Sequence, residues 1–124
     1  NEAEAEAATG IRIGSDSDVV CAGQQLLADT GNAAVLITRG NRGMMLFEKG
    51  VPVVDIPICG GEEIVDVSGA GDTVAATATL GLLAGGSFVQ SARLANFAAA
   101  NVVMKSGTAT TTREEILRSI EEAS

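Results

Sequence analysis

The sequence predicts an α/β fold with a partly parallel sheet, and three observations carry that expectation. A helix-like stretch closing near residue 29 leads directly into the apolar run Ala33-Ala34-Val35-Leu36-Ile37-Thr38, the pattern of a strand covered on both faces. A second apolar lead-in, Ile64-Val65, enters the glycine turn Gly69-Ala70-Gly71, and another helix-like stretch follows it. The chain is 46% hydrophobic but only 2% aromatic, so its core must be Ala, Val, Leu and Ile, which suits helices laid closely on a sheet.

The elements follow in order. Residues 1–8 alternate Glu and Ala, good helix formers with an exposed acidic face. Ser15 or Ser17 caps a second helix through about residue 29, with Val19, Val20, Leu26 and Leu27 inward and Gly31 as its stop. After the strand at 33–38, Arg39-Gly40-Asn41-Arg42-Gly43 turns the chain and 44–48 returns as a hairpin partner. Residues 51–58 form a further strand, placed at the sheet edge by Pro52 and Pro57, which cannot donate to a ladder. Gly60-Gly61 then leads to a short strand into Asp66. A helix from about Asp72 ends at Gly85-Gly86. Ser87 with Gln90, and Thr112 with Glu115, have the capping-box spacing that opens two more helices, reaching about Lys105 and Glu122.

With 124 residues the chain is expected to be one domain at most, and, beginning at Asn1 without Met, it reads as a piece of something longer. A net charge of −8 argues against nucleic acid or an anionic membrane as partner, both of which call for basic patches. It leaves room for a nucleotide, which one local site can hold. Cys21 and Cys59 share no pairing pattern and read as buried or half-buried thiols of a reducing, cytoplasmic setting. With no His and two Cys, zinc is not expected, and no apolar run is long enough to span a membrane.

The chemistry concentrates in Asp66-Val67-Ser68-Gly69-Ala70-Gly71-Asp72-Thr73. Glycines at a strand-to-helix turn let backbone N–H groups approach a phosphate, and the helix dipole adds positive charge there. An acid beside such amides can take a proton from an attacking hydroxyl. It can equally be a helix N-cap. Other glycine-loop chemistries fail: Val74 stands where a dinucleotide fingerprint needs its third glycine, and no P-loop sequence occurs. Lack of His excludes a Ser-His-Asp triad.

This string resembles the second signature of the PfkB family of sugar kinases, whose fold is ribokinase-like. Asn1-Glu2-Ala3-Glu4 is similar to the family's N-x-x-E motif, and Thr38 to Gly43 to its strand followed by T-x-G-x-x-G. Ala95-Asn96-Phe97-Ala98-Ala99 is similar to its adenine-side helix, and Lys105-Ser106-Gly107-Thr108 to its K-x-G-A-like loop. Within the family the chain resembles the ADP-heptose synthase branch, which implies phosphorylation of heptose 7-phosphate at its anomeric hydroxyl.

The resemblance implies the C-terminal, nucleotide-binding half of a ribokinase-like, Rossmann-like domain, spanning residues 1–124, with the sugar-binding half absent. It implies Asp72 as catalytic base and Gly69, Ala70 and Gly71 as an anion hole for the transferred phosphoryl group. Asn1 would contact ATP phosphates, and Glu4 would organise Mg²⁺ through water. Thr38, Gly40 and Gly43 would line the nucleotide cleft, with Asn96 near adenine and ribose. Asp66, Ser68, Val102, Lys105, Gly107 and Thr111 match positions that hold a monovalent cation, such as K⁺, in some members. The implied partners are ATP and a small sugar phosphate, and a half-domain with open edges is expected to self-associate. Alone, the chain is expected to transfer no phosphate to sugar. Each residue also has a plainer reading: Glu4 as a solvated acid, Gly40 and Gly43 as hairpin glycines, Asn96 as a packing residue, Lys105 as a helix-dipole partner. As a whole, the chain could also be a non-catalytic nucleotide-binding fragment or belong to another branch, such as ribokinase.

Overall fold

The structure, a computed structural model, describes residues 1–59, 67 and 69–124. It divides into two compact units, Asn1–Pro57 and Ile58–Ser124.

The first unit opens with α1 (Glu2–Thr9), whose cap is Asn1. The Asn1 side chain accepts from the Glu4 N–H at 2.9 Å, the Glu4 carboxylate takes the Asn1 nitrogen at 2.5 Å, and Gly10 stops the helix at φ 72°. Ser15 caps α2 (Asp16–Thr30), and Gly31 ends it in the left-handed conformation. Three strands follow, β1 (Ala34–Thr38), β2 (Met44–Glu48) and β3 (Val54–Ile56), in spatial order β1-β2-β3. Both pairings are antiparallel, with Val35 opposite Phe47, Ile37 opposite Met45 and Met45 opposite Asp55. The short strand expected at 64–66 lies outside the described residues.

Ala5, Val19, Ala22, Ile37, Met45 and Phe47 form the core of this unit, with α1 and α2 laid on the sheet. Gly23 is what lets Phe47 in: a Cβ there would stand 2.3 Å from the ring. Two expectations change. In β1 Ile37 is buried and its neighbours are half-buried within this chain, less cover than the continuous apolar run suggested. The strand expected over 51–58 contracts to three residues, because Pro52 and Pro57 remove ladder donors on either side, and it lies at an edge of the described sheet.

The second unit has three described helices, α3 (Ala70–Leu83), α4 (Phe88–Val103) and α5 (Arg113–Ala123). Both predicted capping boxes form, Ser87 with Gln90 and Thr112 with Glu115. The α3–α4 contact depends on small residues, since a Cβ on Gly81 would meet the Ser91 Oγ at 2.8 Å. Buried side chains here are short: Val74, Ala92, Ala95, Ala98, Val102 and Val103. The Ser119 hydroxyl donates to Asn101 Oδ1 at 2.9 Å and joins α5 to α4. Cys21, expected buried or half-buried, is exposed on α2, while Cys59 is half-buried, and both are free thiols. Among the described residues no helix is long and apolar enough to cross a membrane.

Candidate functional site

In the second unit the glycine turn sets up the end of α3. The helix starts at Ala70, two residues earlier than expected, because Gly69 takes φ 79° and turns the chain into it. Asp72 is therefore in the first helical turn and is not the cap. It is exposed, and among the described residues its carboxylate accepts no hydrogen bond. Gly69 is fixed twice over: its φ excludes an ordinary side chain, and a Cβ would press on the Thr108 methyl at 3.2 Å. The turn and the loop at 107–108 are thereby neighbours. Around Gly71 nothing approaches an added Cβ within 4 Å, which leaves room for a ligand against its backbone. The Ala70 amide donates to the Val67 carbonyl at 3.2 Å, so its service to an anion requires sharing or releasing that bond.

Asn96 is buried in α4 and donates from Nδ2 to the Cys59 sulfur at 3.0 Å. Burial pushes the Cys59 thiol above its ordinary range and the Asn96 hydrogen bond partly offsets that, so the sulfur is a thiol at neutral pH. Of the residues expected around a monovalent cation, Asp66 and Ser68 lie outside the described residues. The Val102 carbonyl accepts two backbone N–H groups, from Met104 and Lys105. The Lys105 ammonium donates to the Thr110 carbonyl at 2.7 Å and to both Glu115 oxygens at 2.9 and 3.0 Å. Thr111 donates to that same carboxylate at 3.2 Å, and Gly107 holds the loop at φ 72°. This loop is closed by its own cation.

In the first unit Asn1, Thr38, Gly40, Asn41 and Arg42 line an open pocket of about 400 Å³. Thr38 ends β1, and a single 3-10 turn, Gly40–Arg42, carries the chain into β2. Gly40 and Gly43 have φ of 58° and 79°, so both glycines of the T-x-G-x-x-G string are demanded by the backbone. Glu4 is three-quarters exposed beside its cap partner Asn1. Among the described residues no three metal-binding side chains converge. That donor set fits Mg²⁺ carried on nucleotide oxygens and water, with Glu4 as an outer carboxylate, because this ion keeps most of its water and needs few protein ligands.

Sequence reasoning missed a buried charge cluster at this pocket. Arg39, beside Thr38, has a side chain only 2% exposed. Its Nε donates to Glu2 Oε1 at 3.1 Å, its Nη2 to Asp16 Oδ1, and its Nη1 stands 3.8 Å from Asp55 Oδ1. Burial works against its charge, but the bonds to Glu2 and Asp16 outweigh that and raise the guanidinium above its ordinary pKa. Arg42, half-exposed, adds two 2.7 Å bonds to Glu2. The signal in sequence was an Arg inside a glycine turn, with its carboxylate partners 37, 23 and 16 positions away.

Comparison with known proteins settles the family. The profile of the pfkB family carbohydrate kinases matches residues 1–115. This chain belongs to that family. It is 46% identical over 120 residues to the bifunctional protein HldE of Geobacter sulfurreducens, and 47% identical over 117 residues to that of Caulobacter vibrioides. Those alignments take in 97% and 94% of the chain, and it spans about a quarter (24%) of each relative's length. Arabidopsis thaliana ribokinase, solved with ribose and ATP, superimposes with a TM-score of 0.89 at 27% identity, over 98% of this chain and 39% of that one. Phosphofructokinase-2 of Escherichia coli, solved with potassium, gives a TM-score of 0.88 with the same coverage; at 18% identity it speaks for the fold alone. The fold is ribokinase-like.

Proposed function

We propose that this chain is the nucleotide-binding portion of a carbohydrate kinase that transfers the γ-phosphoryl group of ATP to a sugar phosphate, heptose 7-phosphate at its anomeric hydroxyl being the acceptor. The observation that carries it is the exposed Asp72, without a hydrogen bond among the described residues, in the first turn of a helix with open space beside Gly71. Asp72 takes the proton of the acceptor hydroxyl as that oxygen bonds to the γ-phosphorus and the bond to the ADP oxygen breaks. The backbone amides at Gly69, Ala70 and Gly71, with the start of α3, stabilise the charge that develops on the phosphoryl oxygens. Bound Mg²⁺ would add charge neutralisation at the phosphates, with Glu4 orienting its water. Asn1 and the Thr38–Gly43 turn hold the nucleotide, and Asn96, fixed by Cys59, supports the adenine side. The heptose acceptor rests on the resemblance to the ADP-heptose synthase branch, since the acceptor-binding residues are assigned to no position in this chain. A cytoplasmic setting accords with two free thiols.

The test uses a complete kinase domain that carries this chain. Asp72→Asn is expected to lower kcat by at least about a hundredfold while leaving the affinity for ATP near its original value. ADP release with and without heptose 7-phosphate measures the first, and calorimetric titration the second. Near-normal turnover in the variant would remove Asp72 as the base. Nucleotide binding without any sugar-dependent ADP release in the unmodified protein would mean a binding module and not a kinase.

A further inference from the structure

Arg39 stands apart from the residues the family resemblance names, yet it is the most deeply buried charge in its unit. We propose that Arg39 is a positioning residue of the nucleotide pocket: it fixes the spacing between the Asn1 end of α1 and the Thr38–Gly43 turn, and so the spacing at which the two hold the nucleotide. The inference rests on the nucleotide reading above.

Three carboxylates from three elements converge on this one guanidinium: Glu2 at the start of α1, Asp16 at the start of α2, and Asp55 in β3. Without a cation among them, these like charges push apart. Asn1 is one residue from Glu2, so the cap of α1 moves with that carboxylate. At the other end Arg39 is built into the turn, its N–H donating to the Gly43 carbonyl at 2.8 Å and its carbonyl accepting from Arg42 at 3.1 Å. The side chain therefore ties one wall of the pocket to the other. Its planar fork can hold several carboxylates in set directions, which an ammonium on a flexible stem cannot. Arg42 makes similar bonds from a half-exposed position and is the weaker link, because solvent screens such pairs.

Removing Arg39 should cost position more than fold. Asp16 and Asp55 are 69% and 62% exposed, so both recover water when their partner goes. Glu2, the more covered partner at 23% exposed, keeps its two bonds from Arg42. Arg39→Lys and Arg39→Met separate geometry from charge, since the first keeps the charge without the fork.

The experiment is calorimetric titration of a complete kinase domain that carries this chain, unmodified and with each variant, against MgATP, with amide hydrogen exchange and thermal melts alongside and exposed Arg118→Met as control. Losing a hydrogen bond to a charged phosphate oxygen costs on the order of tenfold to a hundredfold in affinity. Arg39→Met is expected to weaken MgATP by at least about tenfold and Arg39→Lys by a smaller but clear factor. Exchange should speed up at 2–6 and 40–43 while β2 stays protected. MgATP affinity in Arg39→Lys equal to the unmodified chain would overturn the proposal, since charge alone would then suffice. So would unchanged exchange at both segments, or faster exchange with affinity unaltered. If Arg39→Met does not fold, Arg39→Lys carries the decision. A complete unmodified domain that ignores millimolar MgATP removes the nucleotide reading and this role together. One that binds, with variants binding equally well, removes this role alone.

Discussion

The two units bury their hydrophobic residues in opposite ways. The first puts its bulk inside: Phe47 is 1% exposed, on a floor made by Gly23, and it is surrounded by Val19, Ile37 and Met45. The second buries alanines and leaves its leucines out, with Leu80 65% and Leu83 79% exposed. Leu80, Leu94, Ile116 and Leu117 line a groove of about 560 Å³ among α3, α4 and α5. A unit whose described buried side chains are short gains less from water exclusion through them, since that gain scales with apolar area. The first unit thus gathers its bulk into one core, and the second carries exposed leucines along α3 and at Leu117 of α5.

The largest effect expected from this contrast is at Phe47. Phe47→Ala should cost about 3–5 kcal/mol of stability, because the ring leaves a cavity against Gly23 that rigid neighbours close only in part. Denaturant unfolding followed by circular dichroism measures it. A cost below about 1 kcal/mol would mean that the core does not depend on this ring.

What could be read from the sequence follows the range of the forces involved. Local rules worked where they act within a turn: the capping boxes at Ser87 and Thr112 and the stop at Gly31 all form as expected. The hairpin 44–48 and the edge position of β3 were legible too, from turn glycines and prolines. The start of α3 was not, because the conformation of Gly69, and not the acid at 72, decides where the helix begins. At the candidate site, the glycine strings and Asp72 were visible because their spacing is local. The Arg39 cluster and the Asn96–Cys59 bond were invisible because each joins residues tens of positions apart, where only the fold sets the distance.

An intermediate effect is expected in the second unit at low pH. Lys105 donates to Glu115 from two directions' worth of contact, and the Thr112 amide and Thr111 hydroxyl add to it, holding the carboxyl down to about 2. Its ordinary value is 4.5, so the folded state binds this proton less readily than the unfolded chain. The stabilisation is therefore fully present above about 4.5 and is lost as pH falls toward 2. Glu115→Gln should flatten that part of the stability profile while leaving the first unit's response unchanged. Thermal melts of both proteins across this window, compared as a difference so that the other acids cancel, provide the measurement. Parallel profiles would show that the Lys105 pair adds nothing to folding.

The smallest effect on stability, and the sharpest on the contrast, belongs to Leu83. It is the last residue of α3 and is 79% exposed, so little packing is lost when it changes. A cation at that end also suits the helix dipole. Leu83→Lys should therefore leave stability within about 0.5 kcal/mol of the original. Self-association should respond differently, because an exposed apolar patch is what brings copies together. The substitution makes the net charge of −8 less negative, which by itself reduces repulsion between copies. Any fall in association must then come from the lost apolar contact and not from charge. Sedimentation velocity over a concentration series reads this directly: the unmodified chain should shift toward larger species with concentration and Leu83→Lys should do so less. Identical series would mean that the outward leucines of α3 do not mediate contact between copies, and that the groove beside them is not an adhesive surface.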